Sequence, residues 1–164
     1  MTSIHLTGQE MVIAATIGIR RRIDSLCNGF QERNGAANAS ISDQWYWNVL
    51  GACGELAVAK STGRYWAGAI GQKKTEADIG PDIQVRTRGN QKMDPASVDL
   101  IVREDDSDHF RYVLVLGHPP DMIIAGWIWG FEAKQKEWFG DNASRNSPVY
   151  WVPQSALHPI VELI

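Results

Sequence analysis

The stretch EADIGPDIQVRTR, from Glu76 to Arg88, decides the fold. Its Gly80-Pro81 pair is a turn signal, and the residues that follow alternate between polar and apolar side chains. Such alternation indicates a β-strand, because successive side chains of a strand point to opposite faces. One face carries Ile83 and Val85. The other carries a row of polar side chains: Asp82, Gln84, Arg86 and Arg88.

Two helices are predicted before this strand. Thr7 and Glu10 form a capping-box pattern, which predicts a helix over about residues 8–28. Its apolar residues at helical spacing are Val12, Ala15, Ile19, Ile23, Leu26 and Phe30. A loop rich in Asn, Gly, Ala and Ser follows at about 28–41 and is expected to be flexible. Ser42 is the expected N-cap of a second helix that ends at Gly63. The expected buried stripe of that helix is Trp45, Val49, Ala52, Cys53 and Leu56.

After residue 64 the chain shows short runs of β-branched and aromatic residues between turn residues. The candidate strands are 65–70, 82–87, 98–103, 110–116, 122–129 and 149–152. Hairpin turns are expected at 104–109 and 118–121, and a short helix at 131–138. The predicted fold class is α+β, with a mixed or mostly antiparallel central sheet of about five to six strands flanked by helices.

Composition limits the classes of protein to be considered. A chain of 164 residues with 44% hydrophobic content suits one domain with its own core. The two cysteines are too few for a disulfide scaffold, and the four scattered histidines show no zinc-ligand spacing. The net charge is -3, yet residues 51–93 carry seven basic against four acidic side chains. That segment is therefore suited to face a phosphate group.

Glu55 is the first candidate functional residue. It lies in the run GACGELAVAK, from Gly51 to Lys60, and no basic side chain stands three or four residues from it. Burying a carboxylate among such small residues is costly unless a cation, a metal or hydrogen-bond donors come from elsewhere in the fold. The other interpretation is that this face of the helix is exposed.

The order of these residues resembles the motif of the PD-(D/E)XK nuclease superfamily. It consists of a Glu on a helix, a later Asp, and a strand with an acid or amide two positions before a cation. The resemblance implies a restriction-endonuclease-like core, a helix followed by a small mixed sheet, in a single domain over 1–164. Residues 43–103 carry it, and the matching positions are Glu55, Asp78, Gln84 and Arg86. Further on, LIVR at Leu100, YVLVLG at Tyr112, GWIWG at Gly126 and WVPQSAL at Trp151 resemble bacteriophage-encoded proteins.

The resemblance implies a metal-dependent nuclease that hydrolyses the phosphodiester bonds of DNA. Glu55, Asp78 and the Gln84 carbonyl would hold Mg²⁺ or Mn²⁺, and Arg86 would stabilise the charge that builds up on the phosphate. Asp82 is the alternative to Asp78 as metal ligand, because it shares a strand face with Gln84. The candidate DNA contacts are Arg86, Arg88, Lys73 and Lys74.

Two departures from the family pattern motivate a second hypothesis. Gln84 brings no negative charge to a metal, and Arg86 cannot lose a proton to act as a base. The chain would then be a catalytically degenerate nuclease-fold protein that binds DNA or a host protein. Trp127 and Trp129, on one face of a strand, are candidates to stack on bases, to contact a second subunit in a homodimer or to anchor a host protein. The other interpretation is that they are buried against a helix. No membrane partner is expected, and the expected location is the cytoplasm, that of a host cell if a phage encodes the chain.

Overall fold

The computed structural model describes residues 1–29, 40–71, 76–89, 94–142 and 147–163. The three α-helices of this part of the chain are α1 (Gly8–Cys27), α2 (Ile41–Thr62) and α3 (Gly130–Ala133). The strands are β1 (Thr2–His5), β2 (Ile83–Arg88), β3 (Leu100–Arg103), β4 (Arg111–His118), β5 (Asp121–Trp129), β6 (Phe139–Asn142) and β7 (Ser147–Val152). Single 3₁₀ turns lie at Pro95–Ser97, Lys136–Trp138, Gln154–Ala156 and Ile160–Glu162.

The strands form two sheets in place of the one central sheet that was predicted. A four-stranded mixed sheet has the order β1-β5-β4-β2, in which β2 and β4 run parallel and the other neighbours antiparallel. A three-stranded antiparallel sheet has the order β3-β7-β6. The α+β class is confirmed. The hairpin expected at 104–109 is wrong, because this acidic connection leads from β3 in one sheet to β4 in the other.

The core has two parts that lie on the two faces of the four-stranded sheet. Ile83, Val85 and Val113 belong to the apolar cluster that includes α1 and α2. Tyr112 and Leu114 belong to the other cluster, which includes β3 and β7. The four-stranded sheet is therefore the middle layer between the helices and the smaller sheet. The connection that was expected to be a hairpin at 118–121 does join β4 to β5.

The first helix is capped as predicted but turns its large apolar residues outward. The Thr7 side chain accepts the N–H of Glu10, and the Glu10 carboxylate accepts the N–H of Thr7. An apolar stripe ordinarily faces the core. Here the buried residues of α1 are Ala14, Gly18 and Arg22, whereas Val12, Ile19, Ile23 and Leu26 of the predicted stripe are exposed.

The second helix begins two residues earlier than predicted, because Ser40 and not Ser42 is its N-cap. The Ser40 hydroxyl accepts the N–H of Asp43, and Gly63 ends the helix in the left-handed conformation as expected. The helix packs against α1 and the middle sheet, and most of its second half is buried. Glu55 is 6% exposed, so the interpretation that placed its face in solvent is wrong.

Other differences from the predicted elements have local causes. Residues 65–70 form no strand, because this segment crosses the helices: the carbonyl of Ala69 accepts from Arg21 and the Trp66 indole donates to Glu55. The short strands β1 and β6 were not predicted. Trp127 is buried, and its indole N–H donates to the carbonyl of Pro159, so this residue is no anchor for a partner.

The expected loop at about 28–41 falls largely outside the described residues, as do Lys73 and Lys74. Among the described residues, no helix is both long enough and apolar enough to cross a lipid bilayer.

Close packing of α1 on α2 depends on Gly18. A Cβ atom at this position would lie 2.5 Å from the Cα of Val49 and 2.6 Å from the carbonyl oxygen of Asn48. Gly18→Ala is therefore expected to lower the free energy of unfolding by about 1–3 kcal/mol, measured by urea denaturation. Gly51→Ala in α2 is the matched control, because a Cβ there would meet no atom within 4 Å. That variant should be as stable as the wild type or more so, since Ala is the better helix former. Equal stability of the two variants would contradict the tight contact at Gly18.

Candidate functional site

A cavity of about 750 Å³ lies beside β2, which forms one end of its sheet. The four positions that resemble the nuclease motif, Glu55, Asp78, Gln84 and Arg86, all line this cavity. They approach it from both sides of β2. Gln84 and Arg86 alternate with the core residues Ile83 and Val85, whereas Glu55 is on α2, which packs on the Val85 side. The sequence therefore identified residues that the fold brings to one place.

Glu55 is neutralised by a cation from the other helix. Its two oxygens accept from Nη1 and Nη2 of Arg21 at 2.6 and 2.8 Å, and the Trp66 indole donates to the second oxygen at 2.9 Å. Burial alone would lower the pKa of Arg21, but the hydrogen bonds and charge of Glu55 outweigh it and raise the pKa. The expectation that a buried Glu55 needs a cation or donors from elsewhere is confirmed.

The negative charge of Asp78 is only partly stabilised by nearby donors and cations. Its Oδ2 accepts the backbone N–H of Val85 at 2.7 Å. Burial, and then the negative charge of Glu55, raise the pKa of Asp78 to about 7, against the opposing effects of the Val85 N–H, Arg86 and Arg21. Asp78 also lines a second cavity of about 480 Å³ together with Arg64, Tyr65 and Gly80.

The side chains of Gln84 and Arg86 form hydrogen bonds on the face of β2 opposite α2. Nη2 of Arg86 donates to Asp106 at 2.8 Å, and the guanidinium lies 5.2 Å from the centre of the Tyr112 ring. Burial would lower the pKa of Arg86, but the charge of Asp106 outweighs it and raises the pKa. Nη1 of Arg86 approaches Oε1 of Gln84 at 3.4 Å, and Nε2 of Gln84 donates to the carbonyl of Glu76 at 2.6 Å.

Asp82, the alternative metal ligand, lies elsewhere. It precedes β2 and does not line the larger cavity. Its carboxylate accepts from Arg111 at 2.7 Å and lies 4.0 Å from Arg64. The alternation in the sequence placed Asp82 on the face of Gln84, but the strand begins only at Ile83. Of the two candidates, Asp78 and not Asp82 lines the larger cavity.

Three further residues that were not among the predicted site residues line the cavity: Arg21, Arg103 and His118. Arg21 lies in the Arg20-Arg21-Arg22 run, which looks like a solvated face until the fold turns its middle member toward Glu55. His118 is held by the Tyr46 hydroxyl at Nδ1. Its Nε2 is buried and forms no hydrogen bond within the described ranges. No spacing rule relates these residues to Glu55 or Asp78.

Arg88 differs from the other arginines of the cavity in its lack of a hydrogen-bonded partner among the described residues. Within the part of the chain that the structure describes, its guanidinium makes no hydrogen bond and no ion pair. Burial lowers the pKa of Arg88, and the charge of Asp99 only partly offsets this. A partly buried cation whose nearby negative charge only partly offsets its burial is the kind of group that an anionic ligand would stabilise.

The arrangement does not fit a divalent metal ion. No group of three or more His, Cys, Asp or Glu side chains among the described residues is placed to hold one. Both oxygens of Glu55 are already hydrogen-bonded, and one of them lies 2.6 Å from Arg21. Mg²⁺ needs several oxygen ligands in near-octahedral order. Of the three candidate ligands Glu55, Asp78 and Gln84, the last two keep an oxygen that is open or weakly bonded.

Comparison with protein-family models, with curated proteins and with solved structures finds no match to this chain.

The raised pKa of Asp78 predicts a pH-dependent gain in stability from Asp78→Asn. Asp78 is protonated more readily in the folded chain than in the unfolded one. The stability that the protonated side chain gives the fold is therefore present below the usual pKa of 3.8 and is lost as the pH rises through about 7. The asparagine oxygen can still accept the Val85 N–H. At about pH 8 the variant should gain up to about 4 kcal/mol in the free energy of unfolding, and at about pH 4 almost nothing, measured by urea denaturation.

Asp82→Asn is the control for this measurement. Because Asp82 has a cation at 2.7 Å, the change should lower the free energy of unfolding and never raise it. A loss of stability in Asp78→Asn at about pH 8 would show that the Asp78 carboxylate is well compensated in the folded state.

Proposed function

We propose that the chain binds DNA by taking phosphate groups of the backbone into the cavity beside β2. The observation that carries this proposal is Arg88, a cavity-lining guanidinium with no hydrogen bond or ion pair within the described ranges. Leaving such a cation partly desolvated is costly unless an anion completes the site. A phosphate accepts paired hydrogen bonds from the planar guanidinium fork, which makes it a well-matched ligand.

The charges that line the cavity support the same proposal. Four arginines, Arg21, Arg86, Arg88 and Arg103, stand against the two carboxyl groups of Glu55 and Asp78. The raised pKa of Asp78 removes part of that negative charge near neutral pH. The lining is thus net positive although the whole chain carries -3. An anionic polymer is attracted by this local field and not by the net charge.

Metal-dependent hydrolysis of DNA is the second candidate function. The observation that favours it is the meeting of Glu55, Asp78 and Gln84 at one cavity, as the resemblance to PD-(D/E)XK nucleases implied. A metal could bind Glu55 only if Arg21 released it, because both oxygens of that carboxylate already accept hydrogen bonds. Arg86 is held by Asp106, so it too would have to move to reach a phosphate. Binding without hydrolysis requires neither change.

The two candidates are separated by measuring binding and cleavage on the same samples. Fluorescence anisotropy with labelled single-stranded, duplex and branched DNA should show binding that weakens steeply with added salt. Incubation of the same DNA with Mg²⁺ or Mn²⁺ should leave it intact. Cleavage that disappears in Glu55→Gln and Asp78→Asn would establish the nuclease in place of the binding protein. Absence of both binding and cleavage for every DNA form would overturn both candidates.

A further inference from the structure

The first helix presents a continuous apolar face to solvent. We call Val12, Thr16, Ile19, Ile23 and Leu26 the outer stripe. Its four aliphatic members are 62, 42, 47 and 54% exposed in chain order, and Ile13 beside them is 47% exposed. Single exposed apolar residues are ordinary, but a contiguous row on one helix face is a mark of an interaction surface.

The outer stripe is separate from the face that holds α1 in the fold. Ala14 and Gly18 are buried on the inner face of α1. Gly18 cannot be replaced by a larger residue without strain, because a Cβ atom there would lie 2.5 Å from the Cα of Val49 on α2. Lys60 on α2 also ties the start of α1 through Glu10 at 2.8 Å. The helix is thus fixed in its orientation, so the outer stripe cannot turn inward to join the core.

The spacing within the outer stripe is that of a coiled-coil seam. Successive members are separated by four, three, four and three residues, which is the alternation of the a and d positions of a heptad repeat. We propose that α1 pairs with α1 of a second copy of this chain, so that the two outer stripes bury each other in a symmetric dimer. A two-fold axis uses the same patch on both copies, so no second surface is needed.

The charges beside the stripe favour a second copy over a charged partner or a membrane surface. Of the three consecutive arginines, Arg22 is buried and Arg21 is bound to Glu55, so only Arg20 is exposed next to the stripe. Glu10 is paired with Lys60. Helices that lie on membranes carry many basic side chains on their polar face, and α1 offers one. An uncharged stripe is complementary to another uncharged stripe.

The area is enough for a weak but specific dimer. Complete burial of the exposed parts of Ile13 and of the four aliphatic stripe residues in both copies would remove on the order of 1,000 Å² from solvent. This is at the lower limit for biological interfaces. The expected dissociation constant is therefore in the micromolar range, and dimerisation should depend on concentration.

Sedimentation equilibrium of the full chain tests this proposal. Between about 1 and 200 µM the wild type should change from monomer to dimer by mass action. Val12→Glu and Ile19→Glu place a carboxylate in the seam and should each raise the dissociation constant at least tenfold. Val161→Glu is the matched control, because Val161 is 68% exposed in the last 3₁₀ turn and is not part of the outer stripe, so this change should leave the dissociation constant unchanged.

Thermal unfolding and circular dichroism of each variant confirm that the fold is intact, which is expected because the changed side chains are exposed. A wild type that stays monomeric throughout this range would overturn the proposal. So would a dimer that survives Val12→Glu and Ile19→Glu, or one that Val161→Glu disrupts equally. The proposal is independent of DNA binding, and a monomer that binds DNA would reject it alone.

Discussion

Replacing Arg88 with glutamine is expected to weaken DNA binding at least tenfold at moderate salt. Arg88 is the cavity-lining guanidinium for which the described residues supply no hydrogen bond or ion pair, so its charge is available to a phosphate. Loss of one phosphate contact should weaken binding to all sequences alike. It should also reduce the slope of log affinity against log salt by about one. Fluorescence anisotropy over a salt series measures both quantities.

Protein stability distinguishes a binding role of Arg88 from a structural one. Because the charge of Asp99 only partly offsets the desolvation of Arg88, and no described residue forms an ion pair with it, Arg88→Gln should leave the free energy of unfolding unchanged or raise it. Arg20→Gln is the matched control for charge, since Arg20 is exposed on α1 and does not line the cavity. An equal loss of affinity in both variants would mean that DNA responds to net charge only. Loss of stability in Arg88→Gln would assign the residue to the fold.

The local signals in the sequence predict the elements well. The capping box of Thr7 and Glu10, the terminal Gly63 and the alternation of Ile83 and Val85 all act within a few residues, and the helices and β2 follow them closely. Five of the candidate site residues line one cavity: Glu55, Asp78, Gln84, Arg86 and Arg88. For the one on α2 and the three on β2, helix position and strand register determine where the side chain points, whereas Asp78 precedes β2.

Pairings between distant segments could not be predicted in this way. Strand β3 pairs with β7, about fifty residues later, and no turn or pattern near Leu100 indicates this partner. The face of α1 that is buried could not be predicted from the sequence either. The usual rule places large apolar side chains in the core, but close approach to α2 selects the small face of Ala14 and Gly18, which leaves Ile19 and Leu26 outside.

The partner of Glu55 shows the same limit at the site itself. The sequence indicates that a buried Glu55 needs compensation, but a cation 34 residues away on another helix is visible only in three dimensions. This matters for function, because a carboxylate whose charge is neutralised by Arg21 is a weaker metal ligand than a free one. The state of this pair therefore separates the two candidate functions.

Arg21→Met is expected to lower the free energy of unfolding by about 3–5 kcal/mol, measured by urea denaturation, because it leaves the buried carboxylate of Glu55 without its cation. Lys60→Met is the matched control. It breaks another ion pair between α1 and α2, Lys60 with Glu10, whose side chains are more exposed. It should cost less than about 1 kcal/mol.

The double variant Arg21→Met with Glu55→Gln decides what the loss means. If the cost of Arg21→Met comes from the stranded charge, Glu55→Gln should recover most of it in the double variant, since a neutral amide is far cheaper to bury than a carboxylate. Recovery would show that the Glu55 charge is committed to Arg21, which supports binding without hydrolysis. A cost of Arg21→Met below about 1 kcal/mol would show a pair that opens easily. Glu55 would then be accessible to a divalent cation, and the nuclease would become the better supported of the two functions.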